Sequence, residues 1–182
     1  MHGQEEFWQC LQTLHSKPKW LFGSAQEEEK LAALNTILEI GLPRNICNLI
    51  PFLKSENVKI RDRTCDVIIA LCQKIVSKKD LYENLKYCEI DISDIDHFKY
   101  VFPEDKFHIL LTIASLNKSG YVREKAVKLL GNANDDQAIP FLIYRLADWV
   151  ERVRKAASLA LAAYKIKEFL PVFIAITRSD IF

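Results

Sequence analysis

The sequence predicts an all-α protein built as a pile of helical hairpins, a solenoid rather than a bundle around one centre. Three observations carry this. Residues 139–163, IPFLIYRLADWVERVRKAASLALAA, read as two amphipathic helices with a polar break at Asp148. Elements of that pattern recur along the chain every 31 residues. Five glycines and six prolines in 182 residues, with few alternating apolar and polar runs, leave little from which to build sheet.

In the hairpin, Ile139, Leu142, Ile143 and Leu146 fall at i, i+3, i+4 and i+7, the apolar stripe of a helix with one dry face. Asp148 can turn its carboxylate onto free N–H groups at the start of the second helix, where a short acid also suits the helix dipole. That helix, from about Val150, is expected to bury Val153, Ala157, Ala160 and Leu161, with small residues where two helices approach closely. Neither helix covers its own stripe, so each hairpin needs a neighbour.

Sliding the pattern in steps of 31 finds a basic residue near the start of the second helix at Lys30, Arg61, Arg123 and Arg154, whereas Ile92 breaks the series. Six residues before each basic position stands Ser24, Ser55, Asn117 or Asp148, and one further step lands on Ser179. All five are helix-capping types. Three residues after it lies Ala33, Thr64, Ala126 or Ala157, and seven after it Ile37, Ile68, Leu130 or Leu161. In the first helix Leu49, Leu142 and Phe173 correspond, as do Pro140 and Pro171.

The segments GYVREKAVKLLG and LADWVERVRKAASLALA resemble HEAT repeats, in which an Asp at the intra-repeat turn precedes a Val-Arg pair and an Ala/Leu-rich second helix. The 31-residue period is similar to the short HEAT-like repeats of bilin-lyase-type proteins. The resemblance is good over 117–163, fair over 24–71 and absent over 78–103. It implies a right-handed α-α superhelix of about five hairpins, one degenerate, forming a single domain over residues 1–182. Within it, 1–20 would be an N-terminal capping helix, 24–77 repeats, 78–105 a degenerate acidic and aromatic segment, and 106–182 repeats with the last incomplete. In the family the Asp and Arg often make a ladder between neighbouring repeats, and only Asp148 keeps that acid here.

Taken in order, residues 5–15 place Phe7, Trp8, Leu11 and Leu14 on one side of a helix closed by Pro18, a cap for the open end of the pile. Ser24 and Glu27 form a capping-box pattern and start a helix through Ile40, stopped by Gly41 and Pro43. Residues 44–54 and 58–76 make the next hairpin, with stripes Ile46, Leu49, Ile50, Leu53 and Ile60, Val67, Ile68, Leu71. The odd segment follows. It predicts a short helix over 81–87, irregular or extended chain over 90–102, and a new helix opened by Pro103, Glu104 and Asp105. Helices over 107–116, 122–130, 139–146, 150–164 and 168–176 bring the total to ten or eleven. The final FLPVFIAITRSDIF matches the first helix of another repeat, so it either closes the pile or begins a repeat that is cut short.

Composition narrows function only a little. A 182-residue chain that is 49% hydrophobic buries roughly 70% of its unfolded surface as one domain. A net charge of +1 provides no general field for nucleic acid or an anionic membrane. Cys10, Cys47, Cys65, Cys72 and Cys88 are odd in number, widely spaced and without a CxxC, and are expected to be buried reduced thiols. The N-terminus carries no basic region followed by an apolar run, and no window holds 18 apolar residues, so a cytoplasmic protein without membrane insertion is expected.

Asp91, Asp94, Asp96 and His97, with His108, are the one grouping that could hold a divalent metal, but acidic segments are more often solvated faces and no metal or cofactor is expected. One HEAT-like enzyme group binds di-iron through His-Glu pairs, and none of His2, His15, His97 and His108 is followed by Glu. Phosphate loops, GxSxG elbows and HExxH are absent too, so catalysis is not favoured. What remains is a surface. Asp62, Arg63 and Asp66 in the earlier repeat, and Glu124, Lys125, Lys128, Arg152 and Lys155 in the later ones, are expected on the concave face, with Trp149 as a packing residue or an exposed anchor. The reading is a scaffold or adaptor for another protein. Its alternatives are nucleic-acid binding or repair through the basic C-terminal half, as in HEAT-like DNA glycosylases, or a lyase or chaperone-like role on a tetrapyrrole or protein substrate.

Overall fold

Apolar residues spaced three and four apart become ten α-helices among the residues described by the computed structural model, which are 2–17, 23–75, 78–133 and 135–164. Among these residues there is no strand. The chain divides into two compact units, Met1–Glu89 and Ile90–Phe182.

In the first unit α1 (His2–His15) packs on α2 (Gly23–Ile40), and α2 packs on α4 (Val58–Gln73). Phe7, Leu11 and Leu14 are buried as their spacing predicts, but Trp8 is 48% exposed and lies off the stripe. Helix α2 starts at Gly23, so Ser24 falls inside its first turn and not at the cap. Glu27, expected in a capping box, instead accepts from Asn57 Nδ2 and Lys59 Nζ, both at 2.6 Å, and so ties α2 to the start of α4. The far end of α2 is closed by Lys74, whose ammonium donates to the carbonyls of Leu38 and Gly41 at 3.0 Å.

Residues 44–54, expected as one helix, fall in two short 3-10 segments, Pro43–Asn45 and Ile50–Lys54, on either side of α3 (Ile46–Leu49). Pro51 has no N–H for the ladder, so the last turn tightens, and Ile46, Leu49, Ile50 and Leu53 are still completely buried. Helix α5 (Lys78–Leu85) packs on α3 and on the 43–45 turn. Cys47 and Cys88 form a disulfide across this contact, which corrects the expectation of five reduced thiols. Cys10, Cys65 and Cys72 are not in a disulfide, and burial pushes the Cys72 thiol up to about 12.

The second unit holds α6 (Ile92–Val101), α7 (Glu104–Ala114), α8 (Gly120–Leu130), α9 (Ile139–Leu146) and α10 (Glu151–Ala163). The stretch 90–102, expected to be irregular, is helical because two of its acids close the helix end. Asp91 is the N-cap, and Asp94 accepts from the Asp91 N–H at 3.0 Å to complete a capping box. Ile95, Phe98 and Phe102 then form the buried stripe. Helix α6 lies against α8 as α8 lies against α10. It is therefore the second helix of the degenerate repeat. The N-caps Asn57, Ser119 and Val150 keep the register at 62 and 31 residues, which would put this one at residue 88; it comes at Asp91, three residues late. That slip moves the repeat's basic position from Ile92 to Ile95, which is not basic either.

Helix α8 leans on α10 through small residues. A Cβ on Gly131 would meet Ala160 Cβ at 2.5 Å and its Cα at 2.9 Å, so a side chain there would force the helices apart. Tyr164 closes the layer, its hydroxyl donating to the carbonyls of Leu130 at 2.9 Å and Asp135 at 3.1 Å. In α9 the buried face is Ile139, Leu142 and Arg145, whereas Leu146 is 42% exposed. In α10 Val153, Ala156, Ala157 and Ala160 are buried and Leu161 is only partly so. Residues Pro18, Pro171, Phe173 and Ser179 and the expected helix over 168–176 lie outside the described residues.

Candidate functional site: the turn edge of the second unit

Three of the described hairpin turns are held by the same polar device. Ser55 Oγ accepts from the Asn57 N–H at 3.2 Å, Asn117 Oδ1 from the Ser119 N–H at 2.8 Å, and Asp148 Oδ1 from the Val150 N–H at 2.9 Å. The acceptor thus reaches the N-cap residue itself, two positions on, and does not cap the first helical N–H groups as the sequence reading had it for Asp148. The basic positions repeat in the same way: Arg123 Nη1 donates to the Asn117 carbonyl at 2.9 Å and Arg154 Nη1 to the Asp148 carbonyl at 2.8 Å, in each case six residues back. One layer up and one layer down, equivalent residues do equivalent work. Residues 109–181 match the family model of HEAT repeats.

Over these residues the chain is HEAT-like. Its all-α helical hairpins fit a solenoid, as the sequence predicts, and no curated protein matches the chain. HEAT repeats are in general protein-interaction scaffolds.

Among the described repeat positions, Arg123 and Asp148 make the one Asp-Arg rung. Arg123 Nε and Nη2 donate to Asp148 Oδ2 and Oδ1, each at 2.8 Å, in a bidentate pair between neighbouring hairpins. Arg145 donates to Asp148 Oδ2 as well, at 2.8 Å. All three side chains are buried, at 2%, 5% and 5% exposure for Arg123, Arg145 and Asp148. Burial alone would raise the Asp148 carboxyl, but hydrogen bonds from Arg123 and Val150 and the charges of both arginines outweigh it and hold it below the ordinary carboxylate value. Burial pulls the Arg145 guanidinium down, and its Nε is a buried donor with no acceptor. At the other basic positions, Lys30 Nζ donates to the Ser16 carbonyl at 2.8 Å and Arg61 Nε to Asp62 at 3.2 Å.

The residues expected on a partner face divide between the units. In the first, Asp62 pairs with Arg61, Arg63 reaches Asn35 of α2 at 2.7 and 2.9 Å, and Asp66 is half-buried. In the second, Lys125 pairs with Asp96 at 2.6 Å, Lys128 with Glu124 at 2.7 Å, Arg152 with Glu124 at 3.1 Å and Lys155 with Glu151 at 2.6 Å. All four cations therefore have a carboxylate of their own chain. Trp149 is 80% exposed and lies over the Arg123 guanidinium at 5.4 Å.

The acidic and imidazole side chains do not converge. Asp91 and Asp94 are used in the cap of α6, Asp96 in its ion pair, and His108 stands between Glu104 at 3.6 Å and Asp135 at 3.7 Å. His108 also lines an open hollow of about 300 Å³ with Lys99, Phe102, Glu104 and Leu129. Among the described residues no three His, Cys, Asp or Glu side chains are grouped to hold a metal.

Sequence reasoning missed Arg145 and Tyr121. Arg145 lies three residues before Asp148 across the turn, but next to Leu146 it reads as a wet position on an apolar helix. Tyr121 stands 31 residues before Arg152, and the two stack at 3.8 Å, a pairing visible only once the repeat register is applied to surface positions too.

Proposed function

We propose that this protein is a non-catalytic scaffold that holds another protein on the exposed surface of α8, α9 and α10. The observation that carries the reading is the set of large apolar side chains left in water there: Tyr121 at 60%, Leu146 at 42%, Trp149 at 80% and Leu159 at 74% exposure. Of these, Tyr121 and Trp149 stand beside the touching first turns of α8 and α10, and large apolar groups left together in water mark a place that is covered in use. The site residues we assign are Trp149, Lys125, Lys128, Arg152 and Lys155, with Asp62, Arg63 and Asp66 as the corresponding set of the first unit. The non-catalytic part of the proposal rests on the titratable groups being used in caps and ion pairs rather than gathered around a reacting centre. Because the lysines and Arg152 are already paired with carboxylates, the surface suits a protein better than a run of phosphates.

The test is affinity capture from the source cells with two forms of the full chain, the wild type and a variant carrying Lys125→Ser, Lys128→Ser, Lys155→Ser and Trp149→Ala. A stoichiometric protein partner is expected with the first and its loss with the second. Recovery of no partner by the wild type, or equal recovery by both forms, overturns the proposal. Nucleic acid recovered in its place, and released steeply by salt, transfers the function to the alternative.

A further inference from the structure

We infer that the edge formed by the first turns of α8 and α10 is a docking site for an acidic segment of a partner protein, with an apolar side chain of that segment on Trp149 and a carboxylate on Arg152. The inference rests on the scaffold reading and makes it specific in place and chemistry. Its first support is a shortage of negative charge. Asp148 serves both Arg123 and Arg145, and Glu124 serves both Arg152 and Lys128, so these two carboxylates face four cations. Each of the two carboxylates thus leaves one positive charge in surplus among the groups it holds. One of the cations, Arg145, is buried with its Nε lacking an acceptor.

The second support is geometric. A Cβ placed on Gly120 would lie 3.2 Å from Val150 Cγ2, so the first turns of the two helices touch. At this junction three aromatic rings lie against arginines, two of them buried and one accessible: Trp149 against buried Arg123 at 5.4 Å, Tyr144 against buried Arg145 at 4.3 Å, and Tyr121 against Arg152 at 3.8 Å. The rings are wet, with Trp149 at 80%, Tyr121 at 60% and Tyr144 at 36% exposure, and the Arg152 side chain is 47% exposed. Flat aromatic anchors beside an accessible guanidinium are the composition of an interface hot spot. A phosphate chain fits less well, since Glu124 and Glu151 stand on the same helices and repel a run of negative charge, whereas one or two carboxylates can approach Arg152 from the turn side.

The probe is a phage-displayed library of random 16-residue peptides panned on the full chain, with selected peptides then measured by fluorescence anisotropy. Enriched peptides are expected to carry Asp or Glu within a few residues of a Leu, Phe or Trp, and to lose binding when the acid becomes its amide. Trp149→Ala is expected to weaken them about 30-fold, the effect of removing a hot-spot residue, and Arg152→Glu at least as much. Tyr100→Ser, an exposed aromatic away from this edge, should leave them unchanged. Peptides without acidic enrichment, or bound equally by Trp149→Ala, overturn this inference. If such peptides are lost on changing Lys125, Lys128 and Lys155 to Ser, the scaffold reading survives on the helix faces. Failure to enrich any peptide overturns both, and so does a 20-nucleotide single strand bound through Trp149 in their place. A dimer in sedimentation equilibrium that Trp149→Ala dissociates assigns the edge to a second copy of the chain and overturns the acidic partner.

Discussion

Replacing Asp148 with Asn tests the physical centre of the second unit. The carboxylate accepts four hydrogen bonds, from Arg123 Nε and Nη2 and Arg145 Nη1 at 2.8 Å and from the Val150 N–H at 2.9 Å. An amide can keep only those that meet its oxygen, and its NH₂ group would face a guanidinium donor. Two buried arginines would then have no counter-charge. Breaking a buried pair in this way costs about 3–5 kcal/mol, equivalent for a chain of this length to a fall in Tm of about 10 °C. The assay is urea unfolding followed by far-UV circular dichroism. A triple exchange, Arg123→Met, Arg145→Leu and Asp148→Leu, should recover most of the loss, because apolar replacement of a whole buried cluster is often neutral or stabilising. The pH dependence has a fixed sign. Asp148 is held below its ordinary value, so its contribution is complete above about pH 4 and is lost as the pH falls through the lower, folded value. The gap between wild type and Asp148→Asn should therefore close in acid. A loss below about 0.5 kcal/mol at neutral pH, the range of ordinary surface substitutions, would refute the reasoning.

Three further outcomes follow from the packing. Reducing Cys47–Cys88, or changing Cys47 to Ser, opens a closure between residues 41 apart and should cost about 4 kcal/mol by chain entropy, read as a shift in urea midpoint with and without a phosphine reductant; an unchanged midpoint would show that the pair does not stabilise the first unit. Gly131→Ala should cost about 1–3 kcal/mol, since the added methyl meets the backbone of α10, and a neutral result in thermal unfolding would mean that the two helices separate freely. Tyr164→Phe removes a buried donor to the Leu130 and Asp135 carbonyls and should cost about 1 kcal/mol, with hydrogen exchange accelerated at the end of α8.

The fold was legible because its signals are local and repeated. Thr64, Ala126 and Ala157 are all fully buried, as are Ile37, Ile68 and Leu130, which is what a 31-residue register demands of positions facing the neighbouring layer. Residues 90–102 were misread for a physical reason. Three aspartates look like a solvated loop, yet Asp91 and Asp94 are helix-end groups, and with the three-residue slip of that cap the repeat's basic position moves from Ile92 to Ile95, neither of which is basic. The Cys47–Cys88 bond was illegible because it joins α3 to the chain just beyond α5, and spacing alone does not say which of five thiols meet. Of the candidate surface, the exposure of Trp149 could be framed but not decided from sequence. The i,i+4 pair of Lys128 with Glu124 was legible from helical spacing, and Lys155 with Glu151 has the same spacing, whereas Lys125–Asp96 and Arg152–Glu124 join helix neighbours 29 and 28 residues away, which composition cannot report.

The turn at residues 147–150 makes stability and recognition two sides of one peptide. Asp148 must face inward, because its carboxylate holds Arg123, Arg145 and the Val150 N–H together. Extended chain at Val150 then leads into α10, and the intervening Trp149 is turned to water. An exposed indole is thus the geometric consequence of a buried aspartate beside it. The two can still be separated by mutation. Trp149 meets the rung only through a cation–π contact at 5.4 Å, worth about 0.5–1 kcal/mol at an exposed site, so its removal leaves the hairpin standing while stripping the edge of its largest ring. Loss of Asp148 takes both, since the turn that presents the indole is the turn the carboxylate holds.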